Sequence, residues 1–370
     1  MEYKVITFYR YTNIKMPDAL RDTLRNVCER HNILGRILLG KEGINGACCG
    51  ETEHVEAFKN FLQELFKDLT FREQSYHKQT YHRLVVRTRT EILGFKQDVN
   101  LKNSGTHIPP EELKRMLDNN EDIVLLDARN DYEYEVGKFK DAITLPMKTF
   151  TEFPEKVKEI EHLKDKKIVM YCTGGIRCEK SSAYLKEQGF KDVNQLQGGI
   201  INYNNTCNDA HWEGSCFVFD DRKVSTMNQA ISSCTHCKNE TDAMENCHNL
   251  DCDRLFVICK ECKKTMNTCC SEACKEAPRQ RKEKIHIYST LGTIENYFAK
   301  PKIALVKLSK QIKKGVKVHL KGKNTKLFKT TITELRNNNG EEIEYANKGE
   351  YITFPLATKV RKNDTVVLVA

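Results

Sequence analysis

"KIVMYCTGGIRCEKS", residues 167–181, decides the fold of the middle of the chain. An apolar, strand-like run ends at Cys172, a Gly-rich turn follows, and "EKSSAYLKEQGF" from Glu179 onward has a helical pattern. The glycines let successive backbone N–H groups turn inward, and the following helix adds the partial positive charge of its N-terminus. Together with the charge of Arg177, these groups predict that Cys172 is a thiolate at neutral pH and can act as a nucleophile.

The length of this loop limits which chemical groups it can hold. Four residues separate Cys172 from Arg177, namely Thr173, Gly174, Gly175 and Ile176. Cysteine phosphatases use five, which gives a ring wide enough for phosphate, whereas the shorter ring resembles that of rhodanese domains and suits a persulfide or sulfur-sized group. Cys178 follows directly, either as a packed small hydrophobe or as a resolving thiol.

The segments around the loop predict an α/β domain over residues 105–212. "DIVLLDAR" and "KKIVMYC" are typical of buried strands, "PPEELKRMLDNN" is typical of a helix, and "VNQLQGGIINY" suggests a strand followed by a turn. Strands that alternate with helices indicate a parallel sheet with right-handed crossovers.

Residues 1–95 predict a ferredoxin-like or acylphosphatase-like α+β domain. The order of the patterns is strand, helix, strand, strand, helix, strand, from "YKVITFYRY" to "YHRLVVRTR". That fold alone decides no function, because RNA-binding and other domains share it.

Residues 213–285 predict a small metal-binding module, since nine of the sixteen cysteines lie between Cys234 and Cys274. Two C-x-x-C pairs can complete one tetrahedral site, and a second, interleaved set can form another. The predicted ligands of the two sites are Cys234, Cys237, Cys259 and Cys262, and then Cys247, Cys252, Cys270 and Cys274. Cys269 competes with Cys270, and His236 or His248 can substitute. We expect one or two structural Zn²⁺ ions, and we favour zinc over an iron–sulfur cluster.

Residues 295–370 alternate apolar and polar side chains between Gly-containing turns, which predicts a small β-barrel. Their strand order resembles the barrel that forms the second domain of translation elongation factors. Residues 291–370 hold sixteen Lys and Arg against seven Asp and Glu, an excess that matches the net charge of +9 of the whole chain. The excess favours a polyanion such as RNA as partner.

Composition predicts a cytoplasmic protein. No apolar run approaches the roughly 20 residues of a membrane span, and the N-terminus lacks the organisation of a signal peptide. In a reducing compartment, sixteen cysteines favour metal or redox chemistry over disulfides. We expect neither a membrane nor DNA as partner.

Several blocks together resemble one family, the rhodanese-like, oxygen-dependent tRNA uridine(wobble) hydroxylases. They are "KEGINGA", "DARNDYEYEVGKF", "YCTGGIRCEKSSAYL", "QLQGGIINY" and "CFVFDDR", and the resemblance covers about residues 1–275. It implies conversion of the wobble uridine of tRNA to 5-hydroxyuridine with O₂ as co-substrate, and Cys172 as the essential residue. Asp127 and Arg129 match the rhodanese positions that brace the active loop.

Two other functions remain open from the sequence. A sulfurtransferase that carries a persulfide on Cys172 suits the size of the loop. A non-enzymatic RNA-binding scaffold with a degenerate rhodanese domain is the third possibility, and the intact Cys172 and Arg177 argue against it.

Overall fold

The computed structural model describes residues 2–281, 287–322, Thr325 and 328–369. The chain divides into two units, residues 1–282 and residues 283–370. Residues 282–285, the end of the predicted metal module, lie outside the described residues. Within the described ranges, no helix has the length and apolar character that a bilayer crossing needs.

The first part of the first unit is a five-stranded sheet with two helices. Its elements in chain order are β1 Tyr3–Tyr11, α1 Pro17–Arg30, β2 Leu34–Gly40, β3 Gly43–Glu51, α2 Thr52–Leu65, β4 Phe71–Tyr76 and β5 Leu84–Thr88. The strand order is β4-β1-β3-β2-β5, in which only the β2–β5 pair is parallel. Ile6 and Phe8 of β1 pack with Leu24, Phe58 and Leu62 of the helices, so α1 and α2 cover one face of the sheet.

Strand β4 is an addition to the predicted order, which had four strands. It lies at the edge of the sheet and pairs only with β1. Its side chains are mostly half-buried, without the alternation of buried and exposed positions that marks a strand in a sequence. The ferredoxin-like character of this region is otherwise as predicted.

A parallel sheet follows, as the sequence predicts, with order β6-β11-β10-β7-β9. The elements are β6 Thr106–Ile108, α3 Pro110–Asp118, β7 Ile123–Asp127, α4 Asp131–Tyr134, β8 Gly137–Phe139, β9 Ile143–Thr144, α5 Phe153–Lys156, β10 Lys167–Tyr171, α6 Ile176–Glu187, β11 Asp192–Leu196 and α7 Gly199–Cys207. Two apolar clusters pack against the sheet, one with Leu126 and Met170 and the other with Leu125 and Val169. Alternate residues of β7 and β10 therefore point into different layers, as expected for a sheet covered on both faces.

The pattern "VNQLQGGIINY" is confirmed as a strand, β11, followed by a turn at Gln197 and Gly198. Helix α7, which was not predicted, begins directly after this turn, and the left-handed Gly198 and Gly199 lead into it. Helix α6 starts at Ile176, three residues before the predicted Glu179, and so includes the last two residues of the active loop.

The cysteine-rich part of the first unit has little regular structure. It contains β12 Trp212–Gly214, β13 Cys216–Phe217, β14 Val224–Ser225, β15 Met244–Asn246, β16 Leu255–Val257, α8 Lys260–Thr265 and α9 Glu272–Glu276. Strand β12 pairs with β8, and the other strands form two short hairpins. Its buried cluster consists of three cysteines with Phe256, Ile258 and Met266. Such a core is too small to hold the segment together by apolar burial alone.

The second unit is a curled antiparallel sheet of six strands in the order β21-β20-β24-β17-β18-β23, with a separate β19–β22 pair. The strands are β17 Ile287–Phe298, β18 Ile303–Leu308, β19 Ile312–Lys313, β20 Lys317–Lys321, β21 Phe328–Thr331, β22 Tyr345–Ala346, β23 Tyr351–Pro355 and β24 Thr365–Val369. Ile294, Val306, Val318, Ile352 and Val366 contribute to its core. The sheet begins eight residues before the predicted boundary at residue 295, and its closure into a barrel stays a prediction.

Candidate active site

The active loop, residues 172–177, joins the C-terminal end of strand β10 to helix α6. Gly175 has a φ of +96°, and a Cβ there would lie 3.0 Å from Tyr9 Oη, so a side chain at this position would be both strained and crowded. This conformation points the Gly175 N–H at Cys172 Sγ, at 3.2 Å. By contrast, Gly174 faces open space. The loop thus encloses the sulfur with backbone donors while leaving one side clear.

Cys172 is fully buried, yet its thiol is acidic. Burial by itself raises the pKa of this thiol. A hydrogen bond with the Cys178 side chain, the positive charge of Arg177 and the backbone N–H groups of Arg177 and Cys178 outweigh it and lower the pKa of Cys172 to about 5. Cys172 is therefore a thiolate at neutral pH.

The Cys178 side chain points toward the same sulfur. Burial, and then the neighbouring Cys172, raise the pKa of Cys178 well above its usual value. Cys178 therefore stays protonated and donates its S–H to the Cys172 thiolate. This contact supports a third role beside the two that the sequence left open, that of a buried donor that lowers the pKa of Cys172.

Arg177 is held by a carboxylate that the sequence reading missed. Its Nη1 donates to Glu133 Oε2 at 2.5 Å and its Nη2 donates to Glu133 Oε1 at 2.7 Å, and both side chains are buried. Thr173 Oγ1 donates to the same carboxylate at 3.2 Å. The pair fixes the guanidinium in one orientation beside the loop. The N-cap-x-x-Glu spacing of Asn130 and Glu133 indicates a capping box at the start of α4, but it does not indicate the pair with Arg177.

Asp127 and Arg129 form a second buried pair below the loop. Arg129 Nε and Nη2 donate to the two Asp127 oxygens at 2.9 and 2.6 Å, and Nη2 also donates to the Gly137 carbonyl at 2.7 Å. Asp127 is paired with Tyr171 in the sheet, and the Ala128 N–H donates to the Tyr171 carbonyl at 3.0 Å. Their contact with the loop therefore runs through Tyr171, the residue before the reactive cysteine.

The "LQGGI" block closes the loop from the other side. The N–H groups of Ile200 and Ile201 donate to the carbonyls of Cys172 and Thr173 at 3.0 and 3.1 Å. A Cβ on Gly199 would lie 2.3 Å from the Cys172 carbonyl oxygen, so only glycine permits this approach. With these carbonyls bound to α7, the amides of the loop face the sulfur.

Cys172 lies in the wall of a cavity of about 560 Å³, called here the Cys172 cavity. Thr173, Gly174, Ile176 and Arg177 of the active loop line one side. The opposite side is formed by side chains on the face of the N-terminal sheet that the helices leave uncovered, here called the open sheet face: Thr7 and Tyr9 of β1, Asn45 of β3 and Arg72 of β4. Phe219, which is 53% exposed, and Arg222 also line the cavity, as do the charged residues Arg36, Arg89, Glu91 and Asp220.

Contacts between the N-terminal sheet and helix α6 hold these two walls together. Tyr9 Oη donates to Glu179 Oε1 at 2.9 Å, and Lys180 Nζ lies 2.9 Å from Glu42 Oε2. Glu42 belongs to the "KEGINGA" block, in which Asn45 Nδ2 donates to the Ile92 carbonyl at 3.0 Å. The block therefore connects the sheet to the active-loop helix.

The structure brings the eight predicted metal ligands together in two groups, in the combination that the spacing predicts. In each group the four sulfur atoms lie within 4.8 Å of one another: Cys234, Cys237, Cys259 and Cys262, and separately Cys247, Cys252, Cys270 and Cys274. Backbone N–H groups point at two of the sulfurs, from Cys259 to Cys234 Sγ at 3.4 Å and from Cys262 to Cys259 Sγ at 3.5 Å. Four thiolates with such donors fit a tetrahedral, soft-ligand ion such as Zn²⁺.

The alternative ligands have other contacts. Cys269 is buried, and its sulfur contacts the Asn267 carbonyl at 3.5 Å and Gln280 Oε1 at 3.4 Å. His236 Nε2 lies 3.0 Å from the Cys269 carbonyl oxygen. The groups of four contain neither of them, nor His248.

Three family models match successive parts of the chain. A model described as "UPF0176 acylphosphatase like domain" matches residues 3–92, "Rhodanese-like domain" matches 109–206, and "Rhodanase C-terminal" matches 213–275. The matched segments together span most of the first unit.

Curated relatives match over the same region. A tRNA uridine(34) hydroxylase from Cytophaga hutchinsonii is 41% identical over 288 residues, which cover 76% of this chain and 92% of the relative. One from Protochlamydia amoebophila is 38% identical over 286 residues, covering 75% of this chain and 89% of the relative. A solved rhodanese-like domain from Anabaena sp. is 22% identical, and the match covers 29% of this chain and 78% of that chain, with a TM-score of 0.26.

Proposed function

The chain belongs to the tRNA uridine(34) hydroxylase family, and we propose that it hydroxylates the wobble uridine of tRNA to 5-hydroxyuridine with O₂ as co-substrate. The observation that carries the proposal is the Cys172 sulfur, which is ionised and forms part of the wall of a cavity. A volume of about 560 Å³ is within the range of small-molecule sites and accommodates one flipped-out nucleotide. The catalytic residue is Cys172, and Arg177 with the loop amides stabilises developing negative charge.

The lining of the cavity suits a stacked nucleobase. Phe219 offers an exposed aromatic face, and its ring centroid lies 5.7 Å from the Arg177 guanidinium. Aromatic side chains commonly stack unpaired bases, which every nucleobase permits because each has a π-face. A uracil stacked on Phe219 would present its edge to the active loop.

In the first mechanistic hypothesis, Cys172 Sγ bonds to C6 of uracil and the C5=C6 electron pair moves to C5 and O4 as an enolate. This pair forms a bond from C5 to O₂, and a proton completes a hydroperoxide. A two-electron reductant of the thiol class and two protons then cleave the O–O bond and release water. Loss of the C5 proton expels the thiolate, so uridine, O₂, two electrons and two protons give 5-hydroxyuridine and water.

In the second hypothesis the sulfur itself carries the oxygen. Oxidation of the Cys172 thiolate by O₂, with two electrons from a reductant of the thiol class and two protons, would give the sulfenate and water. Transfer of the sulfenate oxygen to C5, with the C5 proton ending on that oxygen, would regenerate the thiolate. The two hypotheses differ in the bond between protein and RNA. A covalent tRNA adduct that forms on the wild type and is missing in Cys172→Ser supports addition to C6.

Nucleoside mass spectrometry tests the function itself. tRNA from a strain that lacks the protein should contain 5-hydroxyuridine again after the wild type is added back, and should not after Cys172→Ala. Cys207→Ala is the matched control, because Cys207 is also buried but lies at the end of α7, in a different part of the core. Full 5-hydroxyuridine with Cys172→Ala would overturn the role of the thiolate.

A sulfurtransferase is the second candidate, because four residues between Cys172 and Arg177 make the ring of a rhodanese. Incubation with thiosulfate and then cyanide distinguishes the two. Thiocyanate formation that depends on Cys172, together with unchanged tRNA nucleosides, would favour sulfur transfer. No thiocyanate and restored 5-hydroxyuridine would favour hydroxylation.

We also propose Zn²⁺ as the ion at both groups of four cysteines, with a role in folding. A site closed by four thiolates has no open position for a substrate, and it lowers the free energy of the folded module directly. Since tRNA is the substrate, we place the protein in the cytoplasm.

A further inference from the structure

Three arginines that line the Cys172 cavity, Arg36, Arg72 and Arg89, have no carboxylate partner among the described residues. Of these three, Arg72 is the one with a buried donor that has no acceptor. Arg72 lies on edge strand β4, and its Nη1 is buried without a hydrogen-bond partner among the described residues. The guanidinium carbon lies 4.8 Å from the centroid of the Tyr9 ring, and no described Asp or Glu forms an ion pair with it. A buried donor without an acceptor costs free energy, which a ligand can offset.

A second arginine of the same cavity shows the opposite arrangement. Arg222 donates to both Asp220 oxygens, at 2.9 Å from Nε and 2.6 Å from Nη2. Its charge is therefore neutralised inside the protein, and it serves the packing of the wall. Arg72 is left as a cation available to a substrate anion.

Tyr9 connects Arg72 to the active loop. One face of the Tyr9 ring contacts the Arg72 guanidinium, while Tyr9 Oη donates to Glu179 and would lie 3.0 Å from a Cβ on Gly175. Tyr9 therefore contacts both Arg72 and the region of the loop that holds Cys172. Arg72 and Cys172 line the same cavity, whose volume accommodates one nucleotide.

Arg72 also lies where two cavities meet. A larger and more open cavity of about 1190 Å³ shares Tyr9 and Arg72 with the Cys172 cavity and is lined further by Arg10, Lys102 and His107. A strand that places one base beside Cys172 and continues into the larger cavity would carry its backbone past Arg72. Cationic side chains beside aromatic rings are typical of sites that follow the backbone of single-stranded RNA.

Resting on the proposed function, we propose that Arg72 binds the phosphodiester group adjacent to the target uridine and so positions the base beside Cys172. The N-terminal sheet is then the wall that recognises the RNA backbone, and the rhodanese loop is the wall that carries the reactive sulfur. A guanidinium is suited to this contact, because its N–H groups can donate in pairs to phosphate oxygens.

The test measures RNA binding without turnover. In a Cys172→Ala background, the anisotropy of a labelled anticodon stem–loop with uridine at the wobble position reports affinity. Adding Arg72→Gln should weaken binding about tenfold and make the slope of log affinity against log salt less steep by about 0.7. Arg72→Lys should keep the salt slope and lose part of the affinity. Arg30→Gln, the same charge change at the end of α1 on the covered side of the sheet, should change neither.

A modified RNA identifies the group that Arg72 contacts. With an uncharged methylphosphonate in place of the phosphate on either side of the target uridine, the Cys172→Ala parent should lose about tenfold in affinity at one position. Arg72→Gln should lose nothing further there, which is the signature of a direct pair. Each of three outcomes would overturn the proposal. The losses of affinity from Arg72→Gln and from the methylphosphonate could be additive at both positions, Arg72→Gln could bind as tightly as the Arg30→Gln control, or the Cys172→Ala parent could show no measurable binding. If the Arg72→Gln variant does not fold, the affinity of the Arg72→Lys variant for the same RNAs tests the proposal instead.

The outcome of the binding experiment does not depend on the proposed reaction, because binding in the Cys172→Ala background requires no hydroxylation. If Arg72 pairs directly with a phosphate but cells contain no 5-hydroxyuridine, the RNA-binding site is supported and the reaction is contradicted. If 5-hydroxyuridine is restored but the losses of affinity are additive, the reaction is supported and the role of Arg72 is contradicted.

Discussion

Cysteine has two different roles in two neighbouring regions of this chain. Cys172 is a single sulfur inside a domain whose core is already complete, among residues such as Leu126, Met170 and Leu185. The eight cysteines of the metal module take the place of a core, which otherwise contains little more than Phe256, Ile258 and Met266. The same side chain therefore supplies reactivity where apolar packing maintains the fold, and supplies the fold where packing is too small to do so.

The charges of the two regions are balanced in different ways. At Cys172, fixed groups of the protein stabilise one negative charge: the Gly175 N–H and the Cys178 thiol donate hydrogen bonds to the sulfur, and the Arg177 guanidinium acts through its charge. In the module, four thiolates within 4.8 Å of one another would repel strongly, so an external cation has to balance them. Four predictions test this contrast.

The largest effect should come from removing metal from the module. Cys259→Ser, or treatment with a strong chelator, should unfold residues around 234–274 and make them sensitive to protease. Structural zinc sites contribute roughly 10 kcal/mol or more of folding free energy in small modules. Elemental analysis should find two zinc ions per wild-type chain. Cys269→Ser is the control, since Cys269 is buried but belongs to neither group. If the module stays protease-resistant after chelation, its fold does not depend on metal binding by the cysteines.

Breaking the buried pair beside the active loop should have the next largest effect. Glu133→Gln leaves the Arg177 guanidinium buried without its carboxylate, so the free energy of unfolding should fall by about 3 kcal/mol or more. Denaturant titration measures it. Glu135→Gln, an exposed position two residues along, should change stability by less than about 0.5 kcal/mol. Equal stabilities of the two variants would show that the pair is not needed.

Removing the Cys178 thiol should raise the pKa of Cys172 from about 5 by roughly one unit, which corresponds to about 1.4 kcal/mol. The ultraviolet absorbance of the thiolate, taken as the difference from Cys172→Ala, follows the titration. The pKa of Cys172 in the folded state lies below that of an ordinary thiol in the unfolded chain, so between these two pKa values the folded state binds fewer protons than the unfolded state. The contribution of the Cys172 thiolate to the free energy of unfolding therefore rises with pH in that window, and it is lost as pH falls through 5. An unchanged titration in Cys178→Ala would remove the thiol from the list of donors.

The smallest effect should come from the second unit. Deleting residues 283–370, which form a compact unit of their own and carry a net positive charge, should lower tRNA affinity by about fivefold and make its salt dependence less steep. Anisotropy at several salt concentrations measures both quantities. If affinity and slope are unchanged, the curled sheet has a function other than binding tRNA.

Much of the site is visible in the sequence because its parts are local. The active loop spans six consecutive residues, and the eight module cysteines follow the spacing of C-x-x-C pairs, which determines which sulfurs can meet. The overall class, an acylphosphatase-like region followed by a rhodanese domain, a cysteine-rich module and a curled sheet, is confirmed. The boundaries that the sequence suggests for these domains stay predictions.

The parts that escaped the sequence depend on distant residues. Strand β4 has no alternating pattern because it is an edge strand, and its Arg72 reaches the cavity only after pairing with β1. Glu133 lies forty-four positions before Arg177, so nothing in the spacing of the two residues indicates that they form a pair.

The sequence by itself determined that this protein has a cysteine in a short Gly-rich loop and two groups of four cysteines that can hold metal ions, because both depend on residues close together in the chain. Only the tertiary structure decided which residues lie across the cavity from the Cys172 sulfur. The open sheet face comes from residues 3–88 and the active loop from residues 172–177, and their distance in space is set by packing between separately folded layers. The shape and charge of the substrate cavity arise from that packing, which no local pattern encodes.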